Sequence, residues 1–139
     1  MKLLRVGQQG QEKVAVIDSE NKIRDLSSHI NDLNPDTINF KTLERLQKIN
    51  IETLPKISNN IRIGPCVNRP SNILCIGLNY SLHAEQTGSK LPDNPIVFNK
   101  SPDCLQGPND PIKKNRSQEK LDYEVELALV IGKEAKNVS

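Results

Sequence analysis

This sequence has no tryptophan, two tyrosines and two phenylalanines. With so few rings, a core must be built from aliphatic side chains, and stacking of nucleic-acid bases has little to work with. Charge of one sign is missing too. The 19 Lys and Arg stand against 17 Asp and Glu, a net +2, too balanced for a field that grips a phosphate backbone. A nucleic-acid partner is not expected. No apolar run approaches the ~18 residues of a membrane span, and no basic n-region with a long apolar h-region opens the chain. Neither a membrane partner nor a signal peptide is expected. Cysteine is scarce: Cys66, Cys75 and Cys104 are odd in number and form no C-x-x-C. That suits inert thiols in a reducing compartment, so a cytoplasmic location is the natural reading.

What is present is modest. The 139 residues, 35% hydrophobic and 26% charged, suit one ordinary domain, or a small domain plus part of a larger one. Residues 2–6, 13–18 and 22–27 are short alternating runs separated by G-Q-Q-G-Q and S-E-N, and read as three strands. Residues 36–49 change period: Ile38, Leu43, Leu46 and Ile49 fall at helical spacing, with Asp36 or Thr37 as the candidate cap. Residues 53–60 are polar, contain Pro55 and suit a linker. Beyond Ile61 come short apolar runs broken by Gly and Pro. A buried strand is expected over 72–78, a turn and short helix over 79–88 closing at Gly88, a strand over 94–100, and a turn-rich loop over 105–115. There is no internal repeat. The fold class is α+β, mostly β, with a small N-terminal β domain over 1–58 and a second domain from 59 to 139.

The run K-L-D-Y-E-V-E-L-A-L-V-I-G-K, residues 120–133, carries the clearest chemical signal. From Tyr123 its composition predicts a strand. Alternation would put Asp122, Glu124 and Glu126 on one face, and Tyr123, Val125, Leu127, Leu129 and Ile131 on the other. Two glutamates at i and i+2 of a strand lie about 7 Å apart at Cα. Side by side they repel, and a hard divalent cation relieves that cost by accepting one oxygen from each. An acidic strand face is equally what a solvated face, or an edge protected against aggregation, looks like. Of the two histidines, His29 sits in a polar turn and is given no role. His83 follows a strand of buried character, where an imidazole can act as a general base or satisfy a local carbonyl. Asn79 and Tyr80 add hydrogen-bonding groups at the same turn.

Taken in order, R-I-G-P-C-V-N-R-P-S-N-I-L-C-I-G-L-N-Y-S-L-H-A-E-Q-T-G, P-I-V-F-N-K, G-P-N-D-P-I and D-Y-E-V-E-L-A-L-V-I-G-K resemble the fumarylacetoacetate hydrolase family. The nearest flavour is the bacterial branch of 2,4-diketo-3-deoxy-sugar-acid hydrolases and ureidoglycolate lyase-like proteins. The resemblance is tight over 61–139 and looser over 1–55. It implies the beginning of a mixed β-roll. It implies Glu124 and Glu126 as ligands to Mg²⁺ or Mn²⁺, with Ca²⁺ a further option. It also implies His83 as the group that activates water, and Tyr80 and Lys100 near the substrate. The pattern departs at Gln86, where the family usually has glutamate. At i+3 from His83 on a helix, Gln86 can orient an imidazole or a water but cannot take its proton. The family's third ligand, an aspartate, falls beyond residue 139, as does most of the roll, so the chain reads as truncated. An unpaired apolar strand left in that state is expected to template association.

The function so implied is divalent-metal-dependent hydrolysis of a C–C bond in a short 2,4-dioxo acid, a catabolic reaction. The full-length protein is expected to be a cytoplasmic homodimer, and the fragment inactive. Alternatives are a non-catalytic or truncated member of the family, a lyase or decarboxylase acting on ureidoglycolate or oxaloacetate through the same metal site, and an unrelated β-rich binding module with a merely solvated acidic strand.

Overall fold

Alternation in the first 25 residues becomes a β meander. The computed structural model describes residues 1–138 and is mostly β with a few helices. By internal contacts it divides into two units, Met1–Asn68 with Gln106–Ser139, and Arg69–Leu105.

In the first unit, β1 (Lys2–Val6), β2 (Lys13–Ile17), β3 (Ile23–Asp25) and β4 (Lys56–Ile57) form one antiparallel sheet in that order. Register places Leu3 opposite Val16 and Leu4 opposite Ala15. Successive residues therefore feed opposite faces, and both faces are covered. One holds Val14, Val16, Leu26, Ile30, Leu33, Leu46 and Leu54. The other holds Val6, Ala15 and Ile23, with Leu4, Ile57, Ile61 and Ile63 packed on them. The expected linker over 53–60 is thus in part a strand. Pro55 supplies its carbonyl to Asp25 N at 2.8 Å, and Lys56–Ile57 close the sheet against β3. Two residues are too short for alternation to show.

The predicted helix forms over a shorter span, α1 (Phe40–Gln47), and its cap is neither Asp36 nor Thr37 but Asn39, whose side chain accepts from Thr42 N at 2.9 Å. The earlier candidates are engaged in a turn: Thr37 Oγ1 donates to Asp32 O at 2.6 Å, and Asp36 N donates to Asn34 Oδ1 at 3.0 Å. Leu46 is the helix residue sealed in the core.

A chain of ions ties the remaining loops to this sheet. Arg5 Nε donates to Asp32 Oδ1 at 2.6 Å and Arg5 Nη2 to Glu12 Oε2 at 3.3 Å. The other Glu12 oxygen, Oε1, accepts from Arg62 Nη1 at 2.8 Å. Arg62 in turn grips Asp110 with both Nε (2.8 Å to Oδ1) and Nη2 (2.6 Å to Oδ2). The Glu12 side chain is only 3% exposed, so desolvation costs are met by pairing on both sides. A second buried pair, Arg24 Nε to Asp18 Oδ2 at 2.7 Å, holds the β2–β3 turn while Arg24 Nη1 donates to the carbonyls of Glu52 and Leu54.

The run from Tyr123 onward is not a strand. Residues 121–131 adopt no regular structure, and Tyr123, Val125, Leu127, Leu129 and Ile131 are all more than three-quarters exposed. The pattern suits a strand, but a strand exists only as part of a hydrogen-bonded ladder, and among the described residues this run joins neither sheet. Exposed large apolar side chains concentrate in the same half of the sequence: only Met1 and Phe40 precede Leu74.

The second unit is a two-stranded antiparallel hairpin, β5 (Ile73–Gly77) with β6 (Ile96–Lys100), and the helix α2 (Ser81–Gln86) between them. β5 was expected to be buried. Its residues instead alternate between half-buried and exposed, and every residue of its partner β6 is exposed.

Two outcomes test this fold. Leu46→Ala should cost about 2–5 kcal/mol in urea unfolding, the range for a sealed aliphatic side chain. Stability should also fall with acid. Burial is the largest single influence and tends to raise the Glu12 and Asp32 carboxyls, but the arginine hydrogen bonds (Arg62 to Glu12, Arg5 to Asp32), backbone amides and nearby guanidinium charges together outweigh it and hold both below the usual range. Groups depressed in the folded state stabilise it above their unfolded pKa, about 4, and that contribution disappears as pH falls through the lower folded values. The urea midpoint should therefore be flat near neutrality and drop below about pH 4.

Candidate functional site

The residues singled out from the sequence fall in both units. Tyr80, His83, Gln86 and Lys100 lie within Arg69–Leu105, and Glu124 and Glu126 lie in the other unit. Each group is described in its own unit.

In the hairpin unit, β5 ends at Gly77 and the chain turns through Leu78, held at φ 50°, and Asn79 into α2. The first helical turn is made by His83 N and Ala84 N donating to Tyr80 O at 3.1 and 3.2 Å. Ala84, buried to 1%, is the residue that seats the helix. Fixing Ala84 inward leaves His83, one position earlier, on the exposed side, with Gln86 one turn on at i+3. The helical geometry expected for the His83–Gln86 pair is thus present. Glu85, at i+2, is directed elsewhere on the same helix.

The end of α2 is closed by Thr87 N donating to His83 O at 3.1 Å, by Thr87 Oγ1 to the same carbonyl at 2.9 Å, and by Ser89 N reaching Ala84 O at 2.8 Å. Gly88 makes this possible by taking φ +66°, a left-handed conformation that side chains resist. The carbonyl of His83 is therefore engaged in the helix end, while its imidazole stands in an exposed position.

Lys100 sits elsewhere on the hairpin. It pairs with Ile73, whereas the end of β5 that leads to Tyr80 is Gly77, paired with Ile96. Four residues of ladder, about 13 Å, separate the two ends. The ladder therefore does not bring the Lys100 and Tyr80 backbones together.

Glu124 and Glu126 are both exposed in the irregular run. As a donor set, two carboxylates suit a hard divalent cation in kind but supply only part of the six or more oxygens it takes. Among the described residues no group of three or more His, Cys, Asp or Glu is arranged to hold a metal ion. The three cysteines are free thiols. No helix among the described residues is long and apolar enough to cross a membrane.

The most ordered polar cluster was not anticipated from the sequence: Arg5, Glu12, Asp32, Arg62 and Asp110, joined by Asn68 Nδ2 donating to Asp32 Oδ2 at 2.7 Å. Every acid in it is matched to a guanidinium, so it is a structural cluster. The signal that could have found it is the G-P-N-D turn, whose Asp110 folds back to accept from Gly107 N at 2.8 Å.

Comparison with known proteins gives a family match over part of the chain. Residues 72–139 match the fumarylacetoacetate hydrolase C-terminal family model. All six singled-out residues fall inside that fumarylacetoacetate hydrolase match. Over 138 residues, 99% of its length, the chain is 46% identical to a protein of Burkholderia ambifaria strain MC40-6, named "Putative hydrolase", and covers 49% of it. It is 45% identical to a protein so named from Burkholderia lata and 44% identical to one from Burkholderia cenocepacia, again over 99% of this chain and 49% of the relative. The chain spans about half the length of the curated relatives it matches.

Gly88→Ala should destabilise the His83 helix by about 1 kcal/mol, the usual cost of a side chain at a left-handed cap. The check is faster amide exchange at Thr87 and Ser89, with the amides of β1–β3 unchanged.

Proposed function

We propose that this chain is part of a fumarylacetoacetate hydrolase family protein. Residues 1–58 form its small N-terminal domain and 59–139 the first part of its catalytic β-roll. The whole protein is a divalent-metal-dependent hydrolase that cleaves a C–C bond of a short 2,4-dioxo acid. The observation that carries this reading is the family match over 72–139, which takes in the His83 helix and both acidic residues of the E-x-E run.

The residues divide the work by chemical kind. Glu124 and Glu126 hold Mg²⁺ or Mn²⁺ as part of its oxygen shell. Such an ion, when bound, polarises a carbonyl and stabilises enolate charge. His83 accepts the proton of the attacking water, whose oxygen bonds to the distal carbonyl carbon as the C=O π pair moves to its oxygen; collapse of that adduct breaks the C–C bond, and the other fragment leaves as an enolate that takes up a proton. Gln86, on the same face of α2, orients the imidazole or the water by hydrogen bonding. Tyr80 and Lys100 contact the substrate acid, Lys100 through its long flexible stem. The whole protein acts as a cytoplasmic homodimer on a small oxo acid, without nucleic-acid or membrane partners.

One observation favours a second reading, a family member without catalysis: Gln86 stands where the family usually has glutamate. Glutamine cannot stabilise an imidazolium by charge, so an otherwise complete site would run slowly. The two readings separate on Gln86→Glu. Increased turnover of an acylpyruvate would mark position 86 as the limit on a working site, and no gain would favour the non-catalytic member.

The metal assignment is tested by stability linkage. At tenfold its Kd, Mn²⁺ or Mg²⁺ should add about 1.4 kcal/mol, read as a rise of a few degrees in Tm. Glu124→Ala should abolish that rise; an undiminished response in the variant would overturn the assignment.

A further inference from the structure

Helix α2 is entered and left through left-handed residues. At its exit Gly88 has φ +66°, and a Cβ there would meet nothing within 4 Å. Glycine adopts that conformation freely, so the exit is relaxed. At its entry the left-handed residue is Leu78, at φ 50°. An L side chain resists this region because its Cβ crowds the following carbonyl oxygen. Asn21, Arg69 and Asn137 also have positive φ among the described residues. Asparagine is the residue type that tolerates it, and Arg69 lies at the start of the unit. Leu78 is the one beside the candidate site residues.

A glycine stands one position earlier, yet the change of hand does not fall on it. Gly77 is the last residue of β5, held in register with Ile96, and a Cβ there would lie 3.4 Å from Ile96 Cγ2. Its lack of a side chain suits that close approach. The half-buried leucine takes the unfavourable backbone instead.

Leu78 is held from both sides. Upstream, the β5–β6 ladder fixes the backbone through Gly77. Downstream, Tyr80 is extended at φ −111° and ψ 117°, and its carbonyl accepts from His83 N and Ala84 N at 3.1 and 3.2 Å. Ala84, 1% exposed, seats the helix. Leu78 and Asn79 are the whole connection between these anchored ends. A sparsely populated backbone conformation persists only where its surroundings over-determine it. A residue with a Cβ also has a narrower left-handed well than glycine, so the chain leaves β5 in a restricted direction.

We propose that Leu78 is a positioning residue. Its left-handed backbone fixes the direction of α2 relative to β5, and so the place from which His83 presents its imidazole. It acts through the helix and not by contact with a substrate. The consequence for catalysis rests on the reading of His83 as the base; the geometric claim does not. Every part of the device lies within Arg69–Leu105.

The test reads orientation with neither metal nor substrate present. Amide residual dipolar couplings are measured on the weakly aligned full chain, as parent, Leu78→Gly and Leu78→Asn. The β5–β6 amides supply the reference frame, and those of His83, Ala84, Thr87 and Ser89 report on α2. In the parent both sets should fit one alignment. Leu78→Gly should shrink the α2 couplings roughly twofold against the ladder, as the helix samples a wider range of directions. Leu78→Asn loses the apolar side chain but tolerates positive φ, and should restore the parent's values. Couplings in Leu78→Gly equal to the parent's would overturn the proposal. So would equal losses in both variants, because the leucine side chain, not its backbone, would then hold the helix. Loss of the β5–β6 signals in Leu78→Gly would overturn it too, because residue 78 would then hold the ladder and not the direction of α2. The role of His83 is separable: unchanged acylpyruvate turnover in His83→Gln of the whole protein would remove it as the base and leave the coupling result intact.

Discussion

The first unit depends on one carboxylate. Glu12 is almost sealed from water, and each of its oxygens is given to a different arginine, Oε2 to Arg5 and Oε1 to Arg62. Arg5 belongs to β1 and reaches on to Asp32 in the loop before α1. Arg62 belongs to the segment that returns beside β1 and reaches on to Asp110. The relay therefore joins five points of the chain, its linked pairs separated by 7 to 50 residues. Removing a partner from such a relay would leave a buried charge uncompensated, a far larger effect than losing a surface ion pair. Asp110 feels the same field from the edge: the Arg62 hydrogen bonds hold its carboxyl below the usual range, aided by the Gly107 amide and against a smaller effect of burial.

Burial differs sharply along the chain. Residues 1–68 close a core on both faces of a four-stranded sheet. Beyond Leu74 the apolar side chains are largely in water, yet this is the part that matches the fumarylacetoacetate hydrolase model. The candidate site residues are exposed. His83 and Gln86 ride a six-residue helix seated by Ala84 and closed at Gly88. Glu124 and Glu126 are exposed in a stretch without regular structure.

What was legible in the sequence follows from the range of the forces involved. The first three strands were readable because alternation and turn residues are local signals, and Gly88 marked the end of α2 for the same reason. The α1 cap was misplaced by two to three residues because Asp36, Thr37 and Asn39 are all chemically able to cap; the choice was made by Asp32 and Asn34, which engage the first two. Strand β4 was missed because two residues carry no period. The ion relay was missed because its members are scattered and each looks like an ordinary surface charge. In the E-x-E run the strand expected from Tyr123 onward did not form. Alternation describes the side chains a strand would show, whereas the strand itself requires a ladder, and among the described residues this run joins neither sheet. Of the candidate site, the i, i+3 relation of His83 and Gln86 was legible because a single helical turn defines it. The separation of Lys100 from Tyr80 was not, because it depends on the β5–β6 register.

The most direct test of the relay is Glu12→Gln, which keeps the shape and removes the charge. Equilibrium urea unfolding of the variant should show a loss of about 3 kcal/mol, as expected for breaking a buried ion pair, and its acid sensitivity should be weaker than that of the parent. A loss below about 1 kcal/mol, the scale of an exposed pair, with unchanged pH dependence, would contradict the account.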